Sequence, residues 1–322
     1  MGQADPRYRD KALTDSPTTD CMLPSYVLIT PARNEAAFIE LTLKSVTSQS
    51  VKPQKWVIVS DGSTDETDQI VQRYQLKYPW IDLVQLPHRA ERTFSGKVYA
   101  FNAGYERVKS LDYDAIASLD GDISFDTDYF AFLLERLAAE PKMGLVGTPF
   151  QERGAPVYNY RFVNIEHVSG ACQLFRRACF EDIGGYRPVK GGGIDYIAVI
   201  TARMKGWRTR TFPEKVCHHH RPIGTAESRA LQAKFKLGMK DYALGNHPVW
   251  QLSRCAYQAT QKPLLLGGIM VLAGYLWATL KRVERPISRE FMEFVRREQM
   301  RRLTKFTQRD VSRHRELHGE GT

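Results

Sequence analysis

The chain has 322 residues, of which 43% are hydrophobic and 25% are charged, as in an ordinary globular protein rather than a disordered or fibrous one. Its net charge of +10 favours partners that carry negative charge, such as nucleotide diphosphates, anionic lipids or nucleic acid. Five scattered cysteines do not form the pattern of a disulfide framework, and they suit a reducing compartment.

The two ends of the chain differ from its middle. Residues 1–23 are polar and contain Pro6 and Pro17, so we expect a flexible tail. This stretch has no apolar core of the kind found in signal peptides, and we expect no secretory signal. From Lys281 onward, 12 lysines and arginines face 7 acidic residues, which accounts for half of the net charge.

Three short apolar runs, residues 26–30, 56–60 and 116–119, are predicted to be buried strands. Pro31 should end the first strand, because proline cannot continue a central ladder, and Asn34 is a reasonable N-cap for the helix that follows. Helical patterns separate the strands, which favours an α/β protein with a parallel sheet and right-handed crossovers.

Asp120, Gly121 and Asp122 follow the third strand. Two carboxylates this close repel each other unless a positive charge lies between them, and the glycine lets a ligand approach the backbone. A divalent cation shared with a diphosphate would meet both conditions, whereas the alternative is a simple Asp-Gly turn. Because ligands bind at the carboxyl ends of such strands, we expect residues 31–35, Asp61 and this pair to line one crevice.

Lys97 lies between the second and third strands, after Gly96. It can present a point charge to a phosphate, although a solvated surface lysine is an equal alternative. The first strand is not followed by a G-x-G-x-x-G motif, and the chain has no G-x-x-x-x-G-K-[ST] motif. These absences argue against a Rossmann dehydrogenase and a P-loop NTPase.

Asp195 follows three glycines, residues 191–193, which predict a mobile loop at a ligand, and Gly206 should close the helix that Asp195 begins. Its carboxylate is either a cap or a candidate general base. The histidines at 218–220 point in different directions, so they cannot all bind one ion. One of them could complete an aspartate-based metal site, or they could be ordinary surface or core histidines.

Together these features resemble the family 2 glycosyltransferases with the GT-A fold, over about residues 24–225. The matching pieces are residues 31–35, 61–65 and 96–97, the Asp120-Gly121-Asp122 motif, residues 170–186, and Asp195 before a helix. The resemblance implies a catalytic domain over residues 24–225, with a mixed, mostly parallel sheet flanked by helices and a nucleotide-sugar donor.

The resemblance also implies roles for individual residues. Donor binding would fall to Pro31, Arg33, Glu35, Asp61, Lys97, Asp120 and Gly121. A Mn²⁺ or Mg²⁺ ion would be held by Asp122 and a histidine, of which we favour His219. The acceptor site would be shaped by Gly170, Ala171 and Cys172. Asp195 matches the catalytic base, although the family usually has an acidic residue where this chain has Ile194.

The implied reaction is a metal-dependent, inverting transfer of one sugar to a glycan or lipid-linked acceptor, in the synthesis of a cell-surface polysaccharide or glycolipid. The Gln-x-x-Arg-Trp motif of processive synthases is missing, which favours single transfer over polymerisation. The alternatives are a sugar nucleotidyltransferase, which would want a glycine-rich phosphate loop, and a catalytically inactive, membrane-associated partner protein. We expect no nucleic acid partner, because the basic stretch lacks interleaved aromatic residues.

Residues 226–322 are predicted to form a helical C-terminal region. It contains the uncharged segment 263–280, which is near the lower length limit of a spanning helix, and a basic tail. A single span would place this tail outside the cell, against the positive-inside tendency. We therefore favour an interfacial or re-entrant helix on an anionic membrane surface at the cytoplasmic face. A buried core or homodimer helix and a true span are the alternatives.

Overall fold

The computed structural model describes residues 23–88, 94–152, 165–189, 192–221, 227–261 and 264–318. Apart from Leu23, the tail predicted for residues 1–23 lies outside the described residues.

A mostly parallel sheet organises the described part of the chain. Its seven strands are β1 (Tyr26–Ala32), β2 (Lys55–Asp61), β3 (Ile81–Leu86), β4 (Ala115–Leu119), β6 (Met143–Gly147), β8 (Cys172–Arg176) and β9 (Arg208–Thr211). They lie in the order β3-β2-β1-β4-β8-β6-β9. Strand β8 runs antiparallel to both of its neighbours, and the other pairs are parallel. The predicted mixed, mostly parallel α/β sheet is therefore confirmed.

Helices cover both faces of this sheet. They are α1 (Ile39–Thr47), α2 (Thr67–Lys77), α3 (Phe94–Val108), α4 (Tyr129–Ala138), α5 (Arg177–Asp182) and α6 (Ile194–Met204). Side chains alternate along β1, so that Tyr26 and Leu28 join the core with α1, α2 and α4, whereas Val27 and Ile29 join the core with α3, α5 and α6. Two apolar layers thus hold the sheet between two layers of helices.

A smaller sheet lies beside the carboxyl end of β4. Its strands are β5 (Ile123–Ser124), β7 (Phe150–Glu152) and β10 (Cys217–His219), in the order β5-β10-β7. Pairing of β10 with β5 brings the histidine run of residues 218–220 next to the end of the Asp120-Gly121-Asp122 motif.

Two local predictions near β1 were wrong. Pro31 lies inside β1, opposite Val59 of β2, and not at the strand's end. On its other side the pairing with β4 stops at Ile29, so β1 has only one neighbour at Pro31 and a missing N–H is tolerated there.

Asn34 does not cap α1, which begins after Phe38. Its backbone is left-handed, with φ of 54°, and its side-chain oxygen accepts a hydrogen bond of 2.8 Å from the backbone N–H of Thr64. Asparagine is among the residues that tolerate this conformation, so here it joins the loops after β1 and β2.

Four helices form the C-terminal region: α7 (Glu227–Ala243), α8 (Pro248–Ala259), α9 (Leu266–Leu280) and α10 (Arg289–His318). Helices α7 and α9 meet backbone to backbone, because a Cβ on Gly274 would lie only 2.0 Å from the carbonyl oxygen of Phe235. Phe291 and Val295 of α10 pack on Ile200 of α6, which attaches the region to the sheet domain. Among the described helices, we find none with both the length and the apolar character to cross a membrane.

Candidate active site

Polar residues at the ends of three neighbouring strands meet in one cleft. Arg33 follows β1, Asp61 ends β2, and Asp120 follows β4. The Arg33 Nη1 atom lies 3.7 Å from Asp61 Oδ2. The cleft has a volume of about 360 Å³. All of the predicted donor-binding residues line it, together with Asp122: Pro31, Arg33, Glu35, Asp61, Lys97, Asp120 and Gly121.

Lys97 lies in the wall of this cleft, with its side chain 40% exposed. Its ammonium pairs with Asp120 Oδ1 and lies 3.4 Å from the carbonyl oxygen of Gly170. Burial alone would lower the pKa of Lys97, but Asp120, Asp195 and Asp122 outweigh burial and raise the pKa. Lys97 therefore stays charged and can present an ammonium group to an anion.

Asp122 and His219 meet at a corner where the cleft, which Asp122 lines, adjoins a second cavity, which His219 lines. His219 Nε2 is 3.4 Å from Asp122 Oδ2. Of the other histidines, His220 turns its Nε2 to Ser124 Oγ, at 2.7 Å, and His218 is exposed. The structure thus places the imidazole of the favoured histidine beside the Asp122 carboxylate, while the backbone N–H of His220 donates to the Asp122 carbonyl oxygen at 2.9 Å.

This corner fits a divalent cation whose remaining ligands are oxygen atoms of a diphosphate. The carboxylate of Asp122 is a ligand type that Mn²⁺ and Mg²⁺ both prefer, and the imidazole of His219 suits Mn²⁺ better than the harder Mg²⁺. His219 Nδ1 is buried without a hydrogen bond, 3.9 Å from Glu152 Oε1, where a metal-bound histidine typically has a carboxylate partner. Within the described residues no cluster of three or more protein ligands occurs, so a donor's oxygens would have to complete the shell.

Arg221 also lies on Asp122. Its Nε atom is 3.3 Å from Asp122 Oδ2, and its Nη2 atom pairs with Glu35 Oε2. Burial opposes the charge of this guanidinium, but Glu35 and Asp122 together raise the pKa of Arg221. A fixed positive charge thus lies beside the carboxylate that is predicted to hold the metal.

Asp195 lines a second cavity of about 380 Å³, the central cavity, which shares Lys97 and Asp120 with the cleft. Asp195 occupies the first turn of α6. The N-cap of this helix is Gly193, whose φ of 93° favours glycine. Gly170 packs directly on it, because a Cβ on Gly170 would lie 3.0 Å from Asp195 Cβ. The central cavity therefore contains the Asp195 carboxylate and adjoins the cleft at Lys97 and Asp120.

The family to which this architecture belongs is shown by sequence comparison. The sequence model described as "Glycosyl transferase family 2" matches residues 27–184. The chain carries a family 2 glycosyltransferase domain.

Curated relatives agree with this assignment. Poly-beta-1,6-N-acetyl-D-glucosamine synthase of Staphylococcus aureus (strain COL) is 24% identical over 204 residues, which cover 57% of this chain and 47% of that protein. The enzyme of the same name from Staphylococcus epidermidis is 25% identical over 173 residues, covering 47% of this chain and 39% of the relative. The matched region thus spans about half the length of these relatives, or less.

A mannosyltransferase from Pyrobaculum calidifontis, solved in complex with GDP-Man and Mn²⁺, shares the fold. Its structure aligns with a TM-score of 0.60 and 20% identity, over 86% of this chain and 93% of that chain. The GT-A architecture predicted for the glycosyltransferase is thereby confirmed.

Three predicted acceptor residues of the glycosyltransferase have different positions. Gly170 and Ala171 line the central cavity. Cys172 lines neither cavity: it begins β8, pairs with Leu119 and is only 2% exposed. Burial raises the pKa of its thiol, as expected for a core cysteine. Cys172 therefore lies behind the cavity wall that Gly170 and Ala171 form, and not on its surface.

Among the residues that line the two cavities, four with charged or imidazole side chains were not predicted from the sequence: Glu152, His167, Arg221 and Lys240. Arg221 stands two residues after His219, so a basic residue that close to a candidate ligand was an available signal. The other three come from β7, a loop and α7, far from the family motifs. Only the folded chain brings them to the site.

Proposed function

We propose that this glycosyltransferase moves one sugar from a nucleotide diphosphate to a hydroxyl of a glycan or lipid-linked acceptor, with inversion at the anomeric carbon. The observation that carries the proposal is the junction of two cavities. The cleft that contains Asp61 and Asp122 and the cavity that contains Asp195 share Lys97 and Asp120 in their walls. A donor in the cleft would place its sugar at the junction, facing the acceptor.

Positive side chains in the cleft suit a diphosphate leaving group. Lys97, Arg33 and Arg221 all line the cleft and can neutralise phosphate oxygens. A divalent cation held by Asp122 and His219 would neutralise the charge that grows on the departing nucleoside diphosphate. Asp61, which ends β2 and lies 3.7 Å from Arg33, would contact the nucleoside.

Asp195 would act as the general base. As the acceptor oxygen attacks the anomeric carbon, its proton passes to the Asp195 carboxylate, and the bond to the diphosphate breaks on the opposite face of the sugar. One direct displacement inverts that centre. General-base help of this kind typically contributes about 10²–10⁴-fold to the rate.

The relatives suggest the class of donor and product. The staphylococcal proteins are named for a polymer of N-acetylglucosamine, and the archaeal enzyme was solved with GDP-Man. We propose a hexose or N-acetylhexosamine donor and a cell-surface polysaccharide or glycolipid product. The missing Gln-x-x-Arg-Trp motif supports transfer of one sugar at a time.

We also propose that helix α9 docks on the cytoplasmic face of a membrane. Large apolar side chains are exposed along one side of α9, at Leu266, Ile269, Leu276, Trp277 and Leu280. We call this set the α9 stripe. Lys281 and Arg282 follow it and are exposed, so that they can meet anionic headgroups. The amphipathic arrangement supports an interfacial position for the helix.

Not every predicted membrane-facing cation is available. Arg285 lies over the ring of Tyr242, at 4.1 Å from its centroid, and Arg296 donates to the carbonyl oxygen of Gly245 at 3.1 Å. These side chains hold α10 and the segment before it against α7. The exposed cations near the stripe are therefore the ones to consider for headgroup contact.

A thermal-shift panel tests the proposed activity. UDP-, GDP- and dTDP-sugars are added to the full chain with and without Mn²⁺. We expect one donor class to raise the melting temperature, and to do so more strongly with Mn²⁺, because ligands that bind only the folded state stabilise it. The Asp122→Asn variant should lose the Mn²⁺-dependent part of the shift. Absence of any shift with every donor would contradict the proposal.

A further inference from the structure

A third cavity of about 330 Å³ lies between α6 and the C-terminal helices α7, α8 and α10. It shares His167, Asp195 and Lys240 with the central cavity. Asp195 therefore faces two spaces, one that leads to the donor cleft and one that is walled by the C-terminal region. An acceptor whose hydroxyl meets Asp195 could extend its remaining part into this third cavity.

Within the described residues the charged groups of this cavity are paired, except for Asp195 and Lys240. Arg254 Nε lies 3.2 Å from Asp241 Oδ2, and Arg302 Nη2 lies 3.8 Å from Glu298 Oε2. Lys240, by contrast, forms no hydrogen bond or ion pair within the described residues. Its carbon chain packs on the turn before Asp195, since a Cβ on Gly193 would be 3.2 Å from Lys240 Cε. One ammonium group is thus left for a ligand.

His167 is a buried imidazole with charged groups of both signs around it. Its Nδ1 atom is buried and has no hydrogen-bond partner among the described residues. Burial lowers the pKa of His167, and Arg302, Lys240 and Arg203 lower it further, against the opposing effect of Asp195. Three cations and one carboxylate thus act on this imidazole, and an anionic ligand beside it would find cationic partners.

We propose that the third cavity, which we call the phosphate pocket, binds a phosphate group of the acceptor, held by Lys240 next to the hydroxyl that Asp195 deprotonates. This inference rests on the proposed glycosyl transfer and adds the class of acceptor to it. The C-terminal helices then select the acceptor, while the family 2 domain binds the donor. A neutral sugar would leave Lys240 without a partner.

The phosphate could belong to a lipid-linked sugar or to a water-soluble phosphoglycan. Trp250 of α8 lines the phosphate pocket, and the neighbouring Val249 and Leu252 are exposed apolar side chains. An acceptor with a lipid chain could contact these residues from the pocket, whereas a soluble phosphoglycan would not need them.

The test uses the full chain and isothermal titration calorimetry. The donor cleft is first filled with Mn²⁺ and the nucleoside diphosphate of the nucleotide sugar that gives the largest shift in the thermal panel. The probes are N-acetylglucosamine 1-phosphate, farnesyl phosphate and, as the neutral reference, N-acetylglucosamine. The same titrations are repeated without nucleotide, so that the pocket is tested even if the cleft stays empty.

We expect Lys240→Gln to lower the affinity for the phosphate probes by about tenfold or more, since a hydrogen bond to a charged group is lost. The affinity for the neutral sugar should not change. Lys240→Arg should retain most of the affinity. The matched control is Lys236→Gln, one turn earlier on α7 and exposed, which should change nothing.

Tighter binding of farnesyl phosphate than of the sugar phosphate would support the lipid-linked form of the proposal, and the reverse order would support the soluble form. The proposal would be overturned if each phosphate probe bound Lys240→Gln as tightly as wild type, or if neither probe bound wild type. If nucleoside diphosphate binds but no phosphate probe does, the inference fails while the proposed transfer stands.

Discussion

Arg221 places a guanidinium on the carboxylate that is proposed to hold the metal. Its contacts with Asp122 and Glu35 mean that a divalent cation must share Asp122 with this side chain or displace it. A donor diphosphate would offer the guanidinium new oxygens, so metal and donor binding should be coupled through Arg221.

We predict that Arg221→Ala binds Mn²⁺ more tightly than wild type when no nucleotide is present. Removal of a competing cation worth about 1 kcal/mol corresponds to roughly fivefold in affinity. Electron paramagnetic resonance of free Mn²⁺ gives the dissociation constant directly. Arg208→Ala, at an exposed arginine paired with Glu140, is the control. Weaker or unchanged Mn²⁺ binding in Arg221→Ala would show that the arginine does not compete for Asp122.

Individual site residues could be predicted where they follow a strand or belong to a motif that occurs in the same order in the family. Asp61 and Asp120 follow apolar runs, and the sheet brings such ends together. His219 could be favoured but not fixed, because the direction of each histidine depends on how β10 pairs with β5. Lys240 and His167 gave no local signal, because their positions depend on how α7 packs against α6.

At the scale of the elements, α9 combines tight packing on one side with apolar exposure on the other. Gly274 and Gly238 let it approach α7 closely, as small residues do between helices in membranes. The α9 stripe occupies the opposite side. A helix that merely filled a protein core would not leave such a continuous apolar surface open.

We predict that the double variant Ile269→Asp/Leu276→Asp loses membrane binding. Each exposed apolar side chain that enters the bilayer boundary contributes enough free energy for the pair to change partitioning by about tenfold or more. Flotation with vesicles that contain phosphatidylglycerol measures the bound fraction, and vesicles of phosphatidylcholine alone show the contribution of charge.

Leu76→Asp provides the matched control, because Leu76 is a highly exposed leucine on α2, outside the α9 stripe. It should float like the wild type. Circular dichroism establishes that all variants are folded. Flotation of the double variant at the wild-type level would remove the membrane role of α9.

Sequence patterns defined most elements but not their ends. The alternation of apolar runs and helical patterns was sufficient for the parallel α/β sheet. Pro31 inside β1 and the left-handed Asn34 were missed because both depend on neighbours: where β4 stops, and where the loop after β2 passes. The uncharged segment 263–280 indicated a helix, yet its buried and exposed sides became visible only with α7 in place.

At the scale of the whole molecule, three connected spaces define a direction for the reaction. The donor cleft leads through Lys97 and Asp120 to the central cavity, which leads past Asp195 to the phosphate pocket. The described lining of the first two spaces comes from the sheet domain except for Lys240 of α7, and the third needs the C-terminal helices. The division into residues 24–225 and 226–322 remains a prediction, and it would separate donor from acceptor.

The central claim is that Asp195 removes the acceptor proton without holding the donor. The decisive measurement compares Asp195→Asn with wild type, by calorimetry for donor binding and by single-turnover transfer with the same donor. We predict an unchanged donor dissociation constant and a transfer rate that is lower by about 10²–10⁴-fold. Transfer at the wild-type rate would contradict the account.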